Sequence, residues 1–354
     1  MKPAINANEF NSTELSRESK IQVSLLPPAS NKGGRDMTWL KRYEPTIEEL
    51  SAVRNPEWLY HDLIIRGHVS VIPAPPNEGK TTLMMWIAGQ IAQSPDRQVV
   101  YVNADVSGAD AYAMKVEADE MGFTMLQPQI KQGASMESII EELRKMNDAG
   151  GDFSNCVFFF DTLKKMVDLL NKPKTKELFT LLRGLCAKGM TIVLLAHTNK
   201  YKDKEKNGAP IFEGVGDVRA DVDEMIYLEA CKSPDGSMVI TTKPDKIRGN
   251  FKPISFNVNK DRRVTPAEKT VDIQAEDGRR RLRDRHEQSI RMITSALSSG
   301  CENQSEIITY VKERGIPLAQ IRDALKAYSA GEERIWEVTK GPNNSSLYNL
   351  LHSQ

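Results

Sequence analysis

The 354-residue sequence predicts an α/β fold with a parallel sheet between helices, followed by a small C-terminal domain of helices and a hairpin. Three observations lead to this prediction. Continuous apolar runs, VVYV, VFFF and TIVLLA, are typical of strands that are covered on both faces. Stretches with helical spacing alternate with these runs. An earlier apolar stretch, HVSVI, is followed by a glycine-containing turn and then by the helix-like LMMWIAGQIA.

Composition limits the classes of protein that fit. With 40% hydrophobic and 27% charged residues, the chain is typical of a globular protein of about two domains. Its formal net charge is zero, so any nucleic-acid binding depends on local patches. No apolar run approaches the roughly 18 residues of a membrane span, and the N-terminus lacks an apolar signal core, so we expect a soluble, cytoplasmic protein without a membrane partner.

The cysteines argue against two kinds of site. They are widely spaced and form no C-x-x-C motif, which disfavours both a zinc site and a disulfide framework. We expect them to be buried thiols in a reducing compartment: Cys156, Cys186, Cys231 and Cys301.

The chain divides into four predicted segments. Residues 1–40 are polar and predict a flexible tail. A predicted α/β domain follows over 41–265, and within it Thr46 starts a short helix with Glu49 as its capping-box partner. The other predicted elements are helices over 80–93, 108–121, 135–147 and 174–188, strands over 98–105, 155–161 and 190–197, and strands around EMIYLEA, SMVITTKPD and ISFNV.

The last two predicted segments are a linker and a small domain. Residues 266–285 are strongly charged and predict a linker, and 286–354 predict three short amphipathic helices and a hairpin with the turn KGPNN. Their apolar positions are Ile290, Ile293, Leu297, Ile307, Ile308, Val311, Leu318, Ile321 and Leu325. This order is the winged-helix plan. A generic helical cap for oligomer contacts is an equal alternative, since many winged helices bind protein partners.

The turn after HVSVI has the chemistry of a phosphate-binding loop. Gly79 allows the backbone N–H groups to approach a triphosphate, Lys80 reaches the β- and γ-phosphates, and the Thr81 hydroxyl can hold Mg²⁺. The pattern G-x-x-x-x-G-K-[ST] lacks its first glycine, because Ala74 stands there. The predicted nucleotide-binding residues are Ala74, Pro75, Pro76, Asn77, Glu78, Gly79, Lys80, Thr81 and Thr82.

A carboxylate completes the predicted metal site. The run VFFF places Asp161 at the carboxyl end of a buried strand, at the sheet edge where the phosphate loop lies. There Asp161 can orient water on Mg²⁺, so Thr81 and Asp161 are the predicted metal residues. The alternative is that Asp161 only caps the next turn.

These motifs resemble those of a known group. The phosphate loop, VFFFDTL, IVLLAHTNK and KPDKIRGNF look like the RecA-type P-loop ATPases of the hexameric replicative helicase kind, close to plasmid RepA helicases and the DnaB group. The resemblance covers about residues 55–260. It implies a RecA-like core and a homo-oligomeric ring, usually a hexamer, with ATP bound between neighbouring subunits.

The resemblance also implies roles for single residues. Asp105 matches the water-activating carboxylate, where relatives usually have Glu, and Glu117 is an alternative base. His197 matches a sensor of the γ-phosphate, and a hydrogen-bonded structural histidine is an equal alternative. Lys246 and Arg248 match a basic pair that reaches the neighbouring subunit's ATP, and two solvated hairpin charges are the alternative.

Two lysine-rich stretches are candidates for binding single-stranded DNA. The first is a predicted structure-poor loop after His197, for which a plain solvated loop is an equal alternative; it contains Lys200, Lys202, Lys204 and Lys206, with Tyr201 available for base stacking. The second combines Lys164 and Lys165 with the stretch NKPKTK.

Together these motifs predict an ATP-hydrolysing, ring-forming DNA helicase or helicase-like replication factor of plasmid or phage type, with ATP and Mg²⁺ as cofactors. The alternative is a RecA- or KaiC-like ATPase that remodels a protein or DNA-bound partner through the C-terminal domain, without unwinding. A DNA-binding repressor fits the C-terminal segment alone and leaves the phosphate loop unexplained.

Overall fold

The computed structural model describes residues 37–48, 56–106, 108–203, 209–212, 218–331 and 333–351. The chain forms two units, Met1–Asn55 and Pro56–Gln354. The described part of the first unit holds an exposed 3-10 helix, Thr38–Tyr43, in which the rings of Trp39 and Tyr43 pack edge to face at 5.8 Å. The tail predicted for 1–40 lies outside the described residues as far as residue 36, and so does Glu49 of the predicted capping box.

The second unit is built on a central sheet. Its strands are β3 (Val69–Ala74), β4 (Gln98–Asn103), β5 (Thr124–Leu126), β6 (Cys156–Asp161), β7 (Thr191–Asp203), β8 (Ala209–Phe212), β9 (Glu224–Lys232), β10 (Met238–Lys246), β11 (Ser255–Val258) and β12 (Val264–Pro266). A separate pair precedes it, β1 (Trp58–Tyr60) and β2 (Ile64–Ile65). In the described residues the order across the sheet is β12-β11-β10-β9-β3-β7-β6-β4-β5, and β8 pairs with β7.

The predicted fold class is confirmed, because the centre of this sheet is parallel. Strands β3, β4, β5, β6, β7 and β9 run in one direction, whereas β10, β11 and β12 extend the sheet in antiparallel pairs. The helices between the strands are α1 (Lys80–Ala92), α2 (Gly108–Met121), α3 (Met136–Ala149), α4 (Leu163–Met166), α5 (Lys172–Cys186) and α6 (Val218–Asp221).

Both faces of the sheet are covered, as the continuous apolar runs require. Along β7, Val193 and Leu195 belong to an apolar cluster with α1, while Ile192 and Leu194 belong to a second cluster with α5. All four side chains are fully buried. Successive residues of a strand point to opposite faces, so a strand between two helical layers needs apolar residues at every position.

The register of the strands brings the predicted site residues to one edge of the sheet. Ala74 at the end of β3 lies beside His197 on β7. Asp161 at the end of β6 lies beside Asn103 on β4 and Leu195 on β7. The phosphate loop, the carboxylate and the histidine therefore follow the carboxyl ends of adjacent parallel strands, where α/β sheets bind ligands.

The structure differs from the sequence-based prediction beyond His197. Strand β7 continues to Asp203 and pairs with β8, with Lys202 opposite Pro210, so the described part of the predicted structure-poor loop is a β-ladder. Lysines on alternate residues are compatible with an exposed strand as well as with a loop. Lys204 and Lys206 lie outside the described residues.

Most of the charged stretch 266–285 is helical. Helix α7 (Ile273–Ser298) begins at Asp272, whose side chain accepts hydrogen bonds from the backbone N–H groups of Gln274 and Ala275. Asp277 pairs with Arg280 and Arg281 at 2.7 and 2.6 Å, which are helical spacings that support a solvated helix. Arg280 also donates to the Lys232 carbonyl at the end of β9.

The C-terminal elements appear in the predicted order. The second half of α7 is followed by α8 (Gln304–Lys312), α9 (Leu318–Ala327) and the hairpin of β13 (Trp336–Lys340) and β14 (Ser346–Leu350). Their shared apolar core includes Ile293, Ile307, Val311, Ile321, Leu325 and Trp336. The indole N–H of Trp336 donates to the Leu325 carbonyl at 3.0 Å, which fixes the hairpin to α9. Among the described residues, no helix combines the length and the apolar character that crossing a membrane requires.

Candidate nucleotide-binding site

The phosphate loop connects β3 to α1 through a tight turn. Gly79 precedes the first helical residue with φ of +72°, in the left-handed region that favours glycine, and Asn77 has φ of +63°. A Cβ atom on Gly79 would lie 2.8 Å from Ile240 Cδ1 and 2.9 Å from Met238 Sδ. The turn therefore lies directly against β10, and both its backbone conformation and its surroundings favour glycine.

Ala74, which replaces the first glycine of the motif, stands at a position that does not require glycine. Ala74 is the last residue of β3, is fully buried, and pairs in parallel register with His197. It is not among the described residues with positive φ. An extended strand residue of small volume satisfies this position, so the departure from the motif leaves the loop geometry intact.

Lys80 is a buried cation whose hydrogen-bond partners are neutral. Lys80 is 6% exposed. Its Nζ atom lies 3.2 Å from the Ala196 carbonyl oxygen and 3.4 Å from His197 Nδ1. Burial lowers the pKa of Lys80, although the charges of Asp161 and Asp105 act to raise it. A buried ammonium group of this kind gains from an anionic ligand.

Asp161 is held by two hydroxyl donors. The Thr81 and Tyr101 hydroxyls donate to Asp161 Oδ2 at 2.6 and 3.0 Å. Asp161 is 2% exposed, and burial raises its pKa. The Tyr101 ring is also buried and stacks on Phe159, with centroids 5.6 Å apart. The site therefore places a hydroxyl and a carboxylate, both hard oxygen ligands, side by side in a dry environment.

These residues fit magnesium held jointly with a nucleotide. Thr81 and Asp161 offer two protein oxygens, and Mg²⁺ in nucleotide sites takes its other ligands from phosphates and water. Within the described ranges, no group of three or more His, Cys, Asp or Glu side chains is arranged to hold a metal by itself. The predicted pair of Thr81 and Asp161 is thus brought together by the fold.

Several buried polar atoms at this edge have no hydrogen-bond partner in the described part of the chain. They are His197 Nε2, Thr198 Oγ1 and Thr162 Oγ1. Thr162 directly follows β6, and His197 and Thr198 lie in β7 just after its apolar run. Burial, followed by the charges of Lys80 and Lys164, lowers the pKa of His197 to about 4. A neutral imidazole and two hydroxyls suit hydrogen bonding to phosphate oxygens, which fits the expected ligand.

Asp105, and not Glu117, lies near the loop. The Asp105 carboxylate is 3.3 Å from Lys165 Nζ. The backbone N–H of Asp105 donates to Asn103 Oδ1 at 3.0 Å. The charge of Asp105 acts on Lys80, Asp161 and His197. Glu117 is exposed on α2, and the charges that act on it are those of Arg262 and Glu120.

Lys246 and Arg248 lie at the opposite edge of the sheet. Lys246 Nζ donates to the carbonyl oxygens of Arg219 and Ala220 at 2.7 and 3.0 Å. The Arg248 guanidinium is 3.1 Å from Asp223 Oδ1, and the other oxygen of Asp223 accepts a hydrogen bond from the Val69 backbone N–H, where β3 begins. The fold does not bring this pair to the chain's own phosphate loop.

The second lysine-rich stretch forms a groove. Lys164, Lys165 and Lys174 line a cavity of about 390 Å³ between α3, α4 and α5, together with Glu137, Arg144, Asp168 and Glu177. The backbones of Lys200 and Lys202 lie in β7. The groove therefore extends from the end of β6, the strand that carries Asp161, to the start of α5.

Two contacts of the candidate site residues are not predicted from the sequence. Tyr101 is a donor to Asp161, and Asp223 contacts Arg248. The signal for Tyr101 is a residue with a polar tip inside the buried run VVYV, since a buried phenol usually finds a hydrogen-bond partner. Asp223 precedes an apolar strand and carries no comparable signal.

No protein-family model and no curated protein matches the chain. Among solved structures, it is similar to the flagellar accessory protein FlaH from Methanocaldococcus jannaschii. That similarity has 14% sequence identity and a TM-score of 0.40, and it covers 58% of this chain and 92% of FlaH. At this identity and TM-score, the similarity carries no functional conclusion.

Proposed function

We propose that the chain binds ATP with Mg²⁺ at the loop from Ala74 to Thr82 and hydrolyses it. The observation that carries this proposal is the hydrogen bond of 2.6 Å between Thr81 and Asp161, beside the buried ammonium of Lys80. Three chemical groups from two distant segments of the sequence meet at one sheet edge. Each is the type that a magnesium-bound triphosphate requires.

Each residue has a distinct role in the proposed reaction. The N–H groups at the start of α1 and Lys80 hold the phosphates, and the left-handed Gly79 allows their approach. When bound, Mg²⁺ neutralises charge on the phosphate oxygens. His197 supplies a neutral hydrogen-bonding group. Asp105 accepts a proton from the attacking water, and Lys165 positions the carboxylate.

We further propose that active sites form between subunits of a ring, as in hexameric helicases. Lys246 and Arg248 support this proposal because they lie at the sheet edge opposite the phosphate loop, so a nucleotide contact by these residues requires a neighbouring copy. An arginine in such a position contributes on the order of 10³- to 10⁵-fold to the rate of phosphoryl transfer.

We propose single-stranded DNA as the polymer on which this ATPase acts, as a helicase or helicase-like replication factor. The groove with Lys164, Lys165 and Lys174 supports this substrate, because it starts next to Asp161 and can couple the phosphate site to a bound backbone. The alternative, an ATPase that remodels a protein partner, predicts no response to DNA.

The first experiment measures binding of a fluorescent ATP analogue with Mg²⁺ and steady-state ATP hydrolysis. Lys80→Ala is expected to abolish binding, whereas Lys131→Ala, an exposed lysine outside the site, leaves it unchanged. Equal affinity of the wild type and Lys80→Ala would refute the nucleotide site.

The second experiment measures hydrolysis with and without single-stranded DNA, followed by unwinding of a forked duplex. We expect stimulation by the single strand that weakens steeply with salt, because phosphate contacts release counterions. Hydrolysis that is insensitive to DNA would favour the protein-remodelling alternative.

A further inference from the structure

Asp223 is a buried carboxylate at the sheet edge opposite the phosphate loop. It directly precedes β9 and is 6% exposed. Its Oδ2 atom accepts a hydrogen bond from the Val69 backbone N–H at 3.0 Å, and its own backbone N–H donates to the Val69 carbonyl at 2.9 Å. Asp223 is therefore fixed to the start of β3, while its other oxygen, Oδ1, contacts two arginines.

The next residue strengthens this attachment. Glu224 is fully buried, and its two carboxylate oxygens contact His68 Nδ1 at 2.7 Å and the Ser70 hydroxyl at 2.9 Å. Three consecutive residues, 68–70, thus hold the two acids at the point where β9 begins. Hydrogen bonds of this kind restrict the rotamers of a carboxylate, so a group that contacts Asp223 Oδ1 has a defined position.

The two arginines at Asp223 Oδ1 are held in different ways. Arg183 Nη2 is 3.5 Å from this oxygen, and Arg183 Nε also donates to the Asp221 carbonyl at 2.7 Å. Arg248 Nη1 is 3.1 Å from the same oxygen, its side chain is 55% exposed, and Asp223 is its one ion-pair partner in the described ranges. A guanidinium has five N–H donors in a planar fork, so Arg248 can contact Asp223 on one side and a second anion on the other.

Lys246, the other cation that the sequence predicts for this role, is already engaged within its own chain. Its Nζ donates to the carbonyl oxygens of Arg219 and Ala220 in α6. Burial, followed by the charges of Arg248 and Arg183, lowers the pKa of Lys246. An ammonium group has three donors, and two of them are used here. Arg248 is therefore the member of the pair that is available to a neighbouring subunit.

We propose that Asp223 is a positioning residue that presents Arg248 to the nucleotide of a neighbouring subunit. This role rests on the proposed site between subunits and adds the residue that orients its arginine. Without a fixed carboxylate, a half-exposed arginine side chain samples many rotamers, and few of them reach the phosphates. Asp223 itself does not touch the nucleotide.

The first measurement is steady-state ATP hydrolysis by the full-length Asp223→Asn variant. Asparagine keeps an acceptor for the Val69 N–H and loses the charge that holds Arg248. We expect kcat to fall about tenfold to a hundredfold and KM for ATP to change by less than about twofold, because misplacing the arginine weakens the transition state. The matched control is Asp245→Asn, which removes an exposed acid that pairs with Arg219 at the same edge and should keep the wild-type kcat.

A mixing experiment separates positioning from a general effect on folding. Lys80→Ala subunits supply the arginine, Arg248→Ala subunits supply the phosphate loop, and Asp223→Asn is added to one kind or to the other. The activity restored by mixing should fall about tenfold or more when Asp223→Asn accompanies Lys80→Ala, and should be unchanged when it accompanies Arg248→Ala. A loss of stability alone would lower the activity of both mixtures, and thermal unfolding of each variant measures that loss.

The outcomes distinguish failure of this role from failure of the site between subunits. If Lys80→Ala and Arg248→Ala restore no activity when mixed, the site between subunits is wrong, and the role of Asp223 is refuted with it. If they restore activity, and Asp223→Asn has no effect or the same effect in both kinds of subunit, only the role of Asp223 is refuted. An equal fall of kcat in Asp245→Asn would also refute it. A loss confined to the subunits that supply Arg248 supports the role.

Discussion

The Thr81 hydroxyl and the Asp161 carboxylate meet at 2.6 Å, although 80 residues separate them in the chain. This contact joins the first turn of α1 to the end of β6. It places the two expected magnesium ligands at the bottom of the phosphate loop. Asp161 is buried there, and its pKa is raised. Ionising the carboxylate therefore lowers the stability of the nucleotide-free protein, and a bound cation would offset this loss.

Asp161→Asn separates the role in metal binding from the role in folding. The amide oxygen can still accept hydrogen bonds from Thr81 and Tyr101, while the buried charge is removed. A raised pKa means that stability falls as the pH rises from the ordinary carboxyl value of 3.8 to the folded pKa and that the cost is complete above it, so the variant is expected to unfold at an equal or slightly higher temperature than the wild type at neutral pH. It should lose the stabilisation by ATP with Mg²⁺. Thermal unfolding with and without the ligand measures both effects.

Asp105→Asn is the matched control for that experiment. It changes an exposed carboxylate that we assign to water activation and not to the metal. We expect it to keep stabilisation by ATP with Mg²⁺ while its turnover falls by at least about 10²-fold. Full ligand stabilisation of Asp161→Asn would contradict the metal assignment.

His197 provides a prediction about pH. Its folded pKa is about 4, below the ordinary value of 6.5, because burial and the nearby cations Lys80 and Lys164 disfavour the charged ring. The unfolded chain therefore binds the proton first, so this contribution to stability is complete above pH 6.5 and is lost as the pH falls toward 4. Wild type and His197→Gln are compared by urea unfolding across this range.

The expected result is a difference in the free energy of unfolding that grows below pH 6.5 and levels off near pH 4. Bound nucleotide should raise the pKa of His197, because phosphate charge favours the imidazolium. NMR titration of the ring with and without nucleotide measures this change directly. An unshifted imidazole in the nucleotide-free protein would refute the arrangement around Lys80.

Arg248→Ala tests whether active sites form between subunits. The Arg248 side chain is about half exposed, but its partner Asp223 is buried, so its removal leaves that carboxylate with Arg183 at 3.5 Å and is expected to cost about 1–3 kcal/mol of stability. Nucleotide binding should persist while turnover is lost, because we propose that the arginine acts in the transition state of a neighbour's site.

Mixing two inactive variants provides the decisive measurement. Lys80→Ala retains the arginine and lacks a working phosphate loop, whereas Arg248→Ala has the opposite defect. In mixed rings some interfaces combine both intact parts, so partial ATPase activity should return. If Arg248→Ala alone keeps wild-type turnover, the residue has no role at the site; if it is inactive and mixing restores nothing, the arginine does not act across subunits.

The sequence predicts the sheet edge well because its signals are local. A strand that is buried on both faces must be apolar at each position, so VFFF predicts both the strand and the place of Asp161. The contacts that tune the site are not local. Tyr101 and Asp161 are 60 residues apart, and their pairing depends on the register of β4 against β6, which no sequence pattern specifies.

The errors arise where charge conceals regular structure. The first half of α7 is so rich in charge that it resembles a linker, although ion pairs such as Asp277 with Arg280 at helical spacing stabilise it. The sequence predicts that strand β7 ends at His197, because its apolar run ends there, yet backbone pairing with β8 continues to Asp203. In both places, regular backbone hydrogen bonds form the element where the sequence has no apolar run.

The two small residues at the ends of the phosphate loop provide a last prediction. Gly79→Ala forces a Cβ atom onto a residue with φ of +72° and against Ile240 and Met238. The side-chain ends of both neighbours can move, so the remaining cost is the left-handed backbone, about 1–2 kcal/mol. Because the same backbone carries the N–H groups that we propose bind the phosphates, nucleotide affinity should fall as well.

Ala74→Gly is the matched variant, because it restores the first glycine of the motif. Ala74 is an extended, buried strand residue, so the substitution adds no useful freedom and removes a packed methyl group. We expect a loss of about 1 kcal/mol in stability and no gain in affinity for ATP with Mg²⁺. Urea unfolding and nucleotide titration of both variants measure the comparison. A tighter complex in Ala74→Gly would show that the loop geometry depends on a glycine at this position, contrary to the pairing of Ala74 with His197.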